Sequence, residues 1–298
     1  MQSVIETNLP SLKPYARGKV RDIYDLEDKL LIVASDRISA FDFVLPTPIP
    51  EKGKVLSQIS KFWFEYFAEG VPNHFLSDEI ETYIGKSVSK DELESLKGRS
   101  MIVRKAKRLN IECIIRGYLS GSAWKEYKET GKVCEINIGK NLKESDKLKE
   151  PIFTPSIKSM SGHDINITEE QVVNNEGADI TKQIKEKSLL LYEKAAKYTE
   201  KQGIILADTK FEFGILDNKV ILIDEALTPD SSRFWDKSKY APGKSQESYD
   251  KQYVRDYLES IKWSKEPPIP ELPAEIVTRT REKYLEAFRK ITLKKDLA

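Results

Sequence analysis

Residues 203–227, GIILADTKFEFGILDNKVILIDEAL, carry two apolar runs rich in β-formers on either side of Asp217 and Asn218. That pattern specifies an antiparallel hairpin whose strands are too greasy to stand in water, so the chain must build a sheet with a buried face around it. Charges nevertheless interrupt the first run at Asp208, Lys210 and Glu212. Strand alternation sends Phe211 and Phe213 to one face and Lys210 and Glu212 to the other. The second run ends on Asp224 and Glu225. Hard oxygen donors on rigid strands suit Mg²⁺, which takes one or two carboxylates and completes its shell with water and phosphate oxygens. A loop of Asp217 and Asn218 alone would put Glu212 opposite Ile223 and Asp224 on the other face. A three-residue loop pairing Ile215 with Lys219 makes Glu212 and Asp224 same-face diagonal neighbours, roughly 7–8 Å apart. The spacing therefore predicts the longer loop or a bulge. A solvent-facing charged side of a sheet is the alternative reading of the hairpin alone.

Strands mix with helices without steady βαβ alternation, which predicts an α+β fold with antiparallel sheets. GKVRDIYDLEDKLLIVASD reads as a second hairpin turning at Glu27 and Asp28, and prolines 46, 48 and 50 mark a loop. Apolar positions 55, 56, 59, 62, 63, 66 and 67 form a helical stripe for the core. Helices follow at DELESLKG, at SAWKEYKETG from Ser120 or Ser122, after the capping signal TEEQ, from Asp179 to Gly203, and in the last third on both sides of Pro267–Pro273. Residues 139–166 show no period and read as a disordered excursion or a functional loop. The basic cluster Arg104–Arg108 reads as a solvated edge strand.

With 298 residues the chain exceeds the usual single core, which favours one large α/β unit or two closely packed lobes. No apolar run approaches the ~18–20 residues needed to span a bilayer, and the amino end lacks a signal-peptide centre, so a cytoplasmic protein without a membrane partner is expected. Lys and Arg number 49 against 48 Asp and Glu, a balance that argues against nucleic acid. Cys113 and Cys134 make no Cys-x-x-Cys pair and read as reduced core thiols. The GKS triplets at 85 and 243 lack the first P-loop glycine, and no G-x-G-x-x-G occurs. His74 and His163 are the only histidines, few parts for a zinc hydrolase or a serine relay.

What remains suits phosphate chemistry. Lys19 and Arg21 share a strand face directly after Gly18, a layout able to lie over a polyphosphate. Arg116 precedes a turn of Ser120, Gly121 and Ser122 that opens a helix, and helix N-termini seat anions. Arg233 adds a planar fork beyond a further turn.

Together LADTKFEFG, LIDEALTPDSSRFW, SDRISAFD and IIRGYLSGSAW closely resemble the SAICAR synthetase family, the phosphoribosylaminoimidazole-succinocarboxamide synthases of purine biosynthesis, from about Gly18 to Tyr257. The resemblance implies a two-lobed fold with an ATP-grasp or kinase-like nucleotide cleft. It divides the chain into a β-rich lobe over 1–112, an α+β lobe over 113–266, and a linker with a C-terminal helix over 267–298. It implies an ATP-dependent ligase that joins L-aspartate to the carboxylate of carboxyaminoimidazole ribonucleotide (CAIR) by way of an acyl phosphate, with Mg²⁺ present. By the family pattern Lys19, Arg21 and Glu112 serve ATP, with Glu112 in the segment linking the lobes near adenine. Glu212 and Asp224 hold the metal, and Lys210 beside them completes the catalytic set. Arg116, Ser122 and Arg233 hold the ribotide, and Asp36, Lys158, His163 and Asp164 bind substrate, the last three at the aspartate position. DEALTPD and the tail SYDKQYVRDYLE are similar to the longer, often monomeric form of the family. A small-molecule kinase using the same cleft and a nucleic-acid module built on Arg99–Arg108 are the competing readings.

Overall fold

A computed structural model of the chain describes residues 3–158 and 164–298. Near the amino end the strands are β1 (Lys13–Arg17), β2 (Arg21–Leu26) and β3 (Lys29–Ala34), followed by a short ribbon of β4 (Ser39–Ala40) and β5 (Phe43–Val44). Buried Val20, Asp22 and Tyr24 alternate with half-exposed neighbours, and β2 turns through Glu27 and Asp28 to pair Leu26 with Lys29, as the sequence predicts. Helix α1 (Lys52–Tyr66), β6 (Phe75–Ser77), α2 (Glu81–Ile84), α3 (Lys90–Leu96) and β7 (Ser100–Arg104) complete this region. Five of its strands form one sheet in the order β1-β2-β3-β7-β6.

The chain then crosses at Lys105 and Ala106 into β8 (Lys107–Tyr118), α4 (Gly121–Thr130), β9 (Lys147–Phe153), β10 (Ser156–Lys158) and β11 (Asp164–Asn166). Helices α5 (Glu169–Glu176) and α6 (Ala178–Lys201) precede β12 (Ile204–Leu216), β13 (Lys219–Ile223) and β14 (Ser232–Asp236), and α7 (Gln252–Ser260) and α8 (Ala274–Thr292) follow. A seven-stranded sheet runs β11-β10-β8-β12-β13, with β9 on β8 and β14 on β12. Every ladder between named strands is antiparallel among the described residues, so the fold is α+β. No helix among them is long and apolar enough to cross a membrane.

One apolar core joins the two sheets. Val55, Leu56, Ile59, Trp63 and Phe64 of α1 pack with Ile32 and Val103 of the first sheet, Phe211, Phe213 and Leu222 of the second, and Phe288 of α8. Each fully buried side chain of this size stabilises the fold by about 1.5–3 kcal/mol, so the buried face of α1 contributes substantially to that core. The predicted stripe holds except at Tyr66, which is exposed and lies against Phe62 and Tyr198. Backbone bonds add a second link, because Leu222 N donates to the Pro72 carbonyl and His74 N to the Leu222 carbonyl. The predicted capping box forms at α5, where Thr168 accepts from Gln171 N and Gln171 accepts from Thr168 N.

Three expectations are corrected. Residues 139–166 are not without structure: they hold β9, β10 and β11, whose charged, short runs hide their strand character because only Leu148 and Phe153 of β9 are buried. Arg104–Arg108 is not an edge strand, since β7 lies between β3 and β6 and β8 between β10 and β12. Its charges go instead to partners, Lys105 to Asp25 and Arg108 to Glu212. The turn of the long hairpin is the shorter one, with Leu216 opposite Lys219 and Glu212 opposite Ile223. Asp217 and Asn218 both take positive φ, 50° and 60°, the geometry of a type I′ turn whose twist matches its strands.

Candidate active site

The three charges in LADTKFEFG stand on one face of a central strand. Across β8 and β12 the pairs are Asp208 with Arg116, Lys210 with Ile114 and Glu212 with Glu112. The opposite faces carry Cys113, Ile115, Phe211 and Phe213, all buried in the core. Period-2 alternation on two adjacent strands thus writes a polar floor over an apolar underside.

At one end of the floor are carboxylates. Lys210 Nζ donates to Glu112 Oε1 at 2.7 Å and to Glu212 Oε1 at 3.3 Å. Glu212 Oε2 pairs with Arg108 Nε at 3.0 Å, and Ser156 Oγ donates to Glu112 Oε2 at 3.3 Å. Asp224 reaches the cluster although the short turn assigns it the wrong strand parity. It lies beyond the end of β13 with φ 69°, so strand alternation no longer governs its side chain. Buried His74, packed on Phe64, is hydrogen-bonded to the Asp224 backbone, and burial pulls its pKa down to about 3, so it acts as a neutral ring.

Arg21 reaches from β2 to this end, with Nη1 at 2.5 Å from Asp224 Oδ1 and Nη2 at 3.5 Å from Glu225 Oε1. Burial opposes its charge, but Asp224, Glu225 and Glu212 prevail and raise its pKa. Burial alone would raise the Asp224 pKa; Arg21 and Lys210 overcome that and hold the carboxyl ionised. The Glu225 carboxyl goes the other way, raised by burial and by its neighbours Asp230 and Asp224 despite Arg21. For Lys210 burial is again outweighed, by Glu212, Glu112 and Asp224, and its pKa rises.

At the other end the floor opens into a cavity of about 240 Å³ whose lining includes Arg116, Lys210, Arg233, Lys251 and Arg255 against only Asp208 and Asp230. Five cations facing two carboxylates make a seat for an anion. Asp208 organises it, with Oδ2 at 2.6 Å from Arg233 Nη1, 3.6 Å from Arg116 Nη1 and 3.1 Å from Ser120 Oγ. Arg116 is fixed further by Nε donating to Thr154 Oγ1 at 2.9 Å and Nη2 to Ser122 Oγ at 3.2 Å. Ser120 is the N-cap of α4 but makes no capping bond with its side chain, which leaves the first N–H groups of that helix open beside Ser122. Lys251, half-buried at this wall, has its pKa drawn down to about 8 by burial, partly offset by Asp230. A larger groove of about 770 Å³ lies elsewhere, where Glu6, Glu51, Asp91, Glu92 and Glu94 outnumber Lys54 and Arg99, a wall less suited to phosphate.

Lys210, Glu212, Asp224, Arg21 and Glu112 therefore meet at one end, and Arg116, Ser122 and Arg233 at the other, with Lys210 shared. Glu112 lies within β8, beyond the crossing at Lys105 and Ala106, and is not in the connection between sheets. Lys19 is separate from Arg21: it precedes β2 and pairs with Asp42 at 2.5 Å. Asp36 does not line the cavity. Its carboxylate, 1% exposed, accepts from Val4 N, Gly53 N and both terminal nitrogens of Arg99, so it anchors the start of α1. Lys158 and Asp164 are strand partners on β10 and β11, while His163 lies outside the described residues. Sequence reasoning missed Asp208, Arg108, Lys251 and Arg255. The four-residue spacing of the last two, which sets side chains on one helical face, was the available signal.

The profile of the SAICAR synthetase family matches residues 14–270. The chain belongs to that family. A phosphoribosylaminoimidazole-succinocarboxamide synthase of Thermodesulfovibrio yellowstonii is 56% identical over 97% of this chain and 98% of its own length. The SAICAR synthase of Saccharomyces cerevisiae, solved complexed with SAICAR, superposes with a TM-score of 0.91 at 44% identity over 99% of both chains. A SAICAR synthetase solved with ADP gives a TM-score of 0.70 at 27% identity, covering 96% of this chain and all of that one. The polar floor and the cationic cavity both lie inside the SAICAR synthetase match, whereas α8 falls beyond it.

Proposed function

We propose that the chain is an ATP-dependent carbon–nitrogen ligase that condenses L-aspartate with CAIR to give SAICAR, ADP and phosphate in purine biosynthesis. The observation that carries this reading is the junction at Lys210, where a cavity rich in cations meets a cluster of carboxylates. A ribotide phosphate in the cavity would point the rest of the molecule along the floor toward the nucleotide side.

A carboxylate resists amines because it is anionic and lacks a leaving group. An oxygen of the CAIR carboxylate attacks the γ-phosphorus of ATP, the bond to ADP breaks, and an acyl phosphate forms. The amine of aspartate then attacks the acyl carbon, phosphate leaves with the bonding pair, and the amine proton passes to an acceptor. Positioning and charge neutralisation carry such a sequence, with no side-chain nucleophile. Arg116, Ser122 and Arg233, joined by Lys251 and Arg255, hold the ribotide. Lys19 and Arg21 neutralise the nucleotide phosphates, Glu112 lies on the nucleotide side, and Lys210 faces the charge that develops between the substrates.

The donor set fits Mg²⁺. Glu212 and Asp224 offer hard oxygens beside the groups assigned to phosphate, and Arg108 and Arg21 pair with those carboxylates in the absence of an ion. Bound there, Mg²⁺ would neutralise charge on the polyphosphate. Lys158 and Asp164, with His163, are assigned to L-aspartate because β10 packs beside β8 at Glu112.

The test is ADP release by purified protein with ATP, Mg²⁺ and CAIR, with and without L-aspartate, together with detection of SAICAR by mass. Release that needs all three substrates, one ADP per SAICAR, supports the ligase. ADP formed equally well without aspartate points to the kinase reading.

A further inference from the structure

Tyr284 of α8 lies outside the stretch that the family profile matches, yet its buried hydroxyl donates to Asp230 Oδ1 at 2.7 Å. Asp230 Oδ2 accepts from Lys52 Nζ of α1 at 2.8 Å, and both of these side chains are almost wholly shielded from water. Lys52 Nζ also lies 5.9 Å from the centre of the Tyr284 ring. One carboxylate is thus gripped from behind by two elements that are remote in sequence. Its other side belongs to the cavity wall, beside Lys251 and Arg255.

We propose that Tyr284 is a positioning residue for the ribotide: with Lys52 it fixes Asp230 in the wall of the cavity that Lys251 and Arg255 also line. A carboxylate held on both oxygens cannot swing out to cap an arginine of the seat, so the cations stay available to the incoming anion. The electrostatics agree. Burial would raise the Asp230 pKa, but Lys52 and Lys251 reverse this and keep it ionised, while burial and Asp230 hold the Tyr284 hydroxyl protonated as a donor. Losing the hydroxyl leaves Asp230 with Lys52 alone, free to rotate about that contact toward Arg255 or Arg233.

This inference rests on the ligase reading above, and the experiment separates the two. Tyr284→Phe removes one oxygen and keeps the ring. In steady-state assays with ATP, CAIR and aspartate, Y284F should raise the KM for CAIR about five- to thirtyfold, with kcat and the KM for ATP within about twofold of wild type. Phe288→Leu, a packing change on the same helix at a fully buried position, is the control. It should lower Tm and leave the KM for CAIR unchanged. An unchanged KM for CAIR in Y284F overturns the inference, as does an equal rise in F288L, which would make docking of α8 the cause. Wild-type protein that shows no aspartate-dependent ADP release overturns the ligase reading and this role with it.

Discussion

Glu112 and Glu212 are direct partners across β8 and β12, and a single cation, Lys210 Nζ, is hydrogen-bonded to both. Like charges opposed in a sheet repel, and Lys210 between them, with Arg108 on Glu212, offsets that repulsion. Lys210→Met should therefore cost about 1–3 kcal/mol in urea unfolding, well above a surface substitution. Activity should fall at least a hundredfold. A stable, active K210M variant would remove Lys210 from the centre of the site.

The carboxylates assigned to the metal are separable from folding. Asp224→Asn leaves Arg21 with Glu225, and Glu212→Gln leaves Arg108 half-exposed at the surface, so neither strands a bare buried charge. Each variant should melt close to wild type and lose about a hundred- to thousandfold in kcat. Chelation with EDTA should abolish wild-type turnover, and Mg²⁺ should restore it. Near wild-type rates for D224N at limiting Mg²⁺ would reassign the metal.

Gly121 opens α4 at φ 58°, and a Cβ there would come within 2.3 Å of Arg233 Nη2. Gly121→Ala is strained by roughly 1–2 kcal/mol from its backbone alone and must also displace Arg233 from Asp208. The KM for CAIR should rise tenfold or more while the KM for ATP holds. An equal shift in both constants would mean that Arg233 serves the nucleotide.

Lys251 supplies the pH dependence. Its pKa of about 8 sits below the ordinary lysine value because of burial, with Asp230 pulling upward and Arg255 and Lys52 downward. The cation is present below that pH and lost above it. Affinity for an anionic ribotide should then weaken on the alkaline side, with kcat/KM for CAIR falling up to tenfold per pH unit beyond about 8. In Lys251→Arg the guanidinium stays charged, and the alkaline limb should move upward by a unit or more. A limb that stays in place would assign the titration to another group.

Much of this site was written in strand parity. Alternation alone puts Lys210 and Glu212 on one face and Phe211 and Phe213 on the other, and the sheet bears it out. Parity failed at Asp224, where the backbone leaves the strand at positive φ and a parity argument has no force. Parity alone requires a longer loop to align Glu212 with Asp224, whereas the chain keeps the short turn and reaches Asp224 through a local twist. The β9 to β11 segment was illegible because β10 and β11 are only three residues long and β9 is charged and buries only Leu148 and Phe153. Arg255 and Tyr284 lie on helices, and Lys251 at the N-cap of α7, in sequences that read as ordinary amphipathic elements. Only tertiary packing brings Lys251 and Arg255 to the cavity and Tyr284 to Asp230 behind it.

The rungs between Pro72, His74 and Leu222 tie the first sheet to β13 within two residues of Asp224. Arg21 of the first sheet meets Asp224 just past this junction, so the same short stretch of β13 that carries the backbone rungs also places the carboxylate of the ion pair between the sheets.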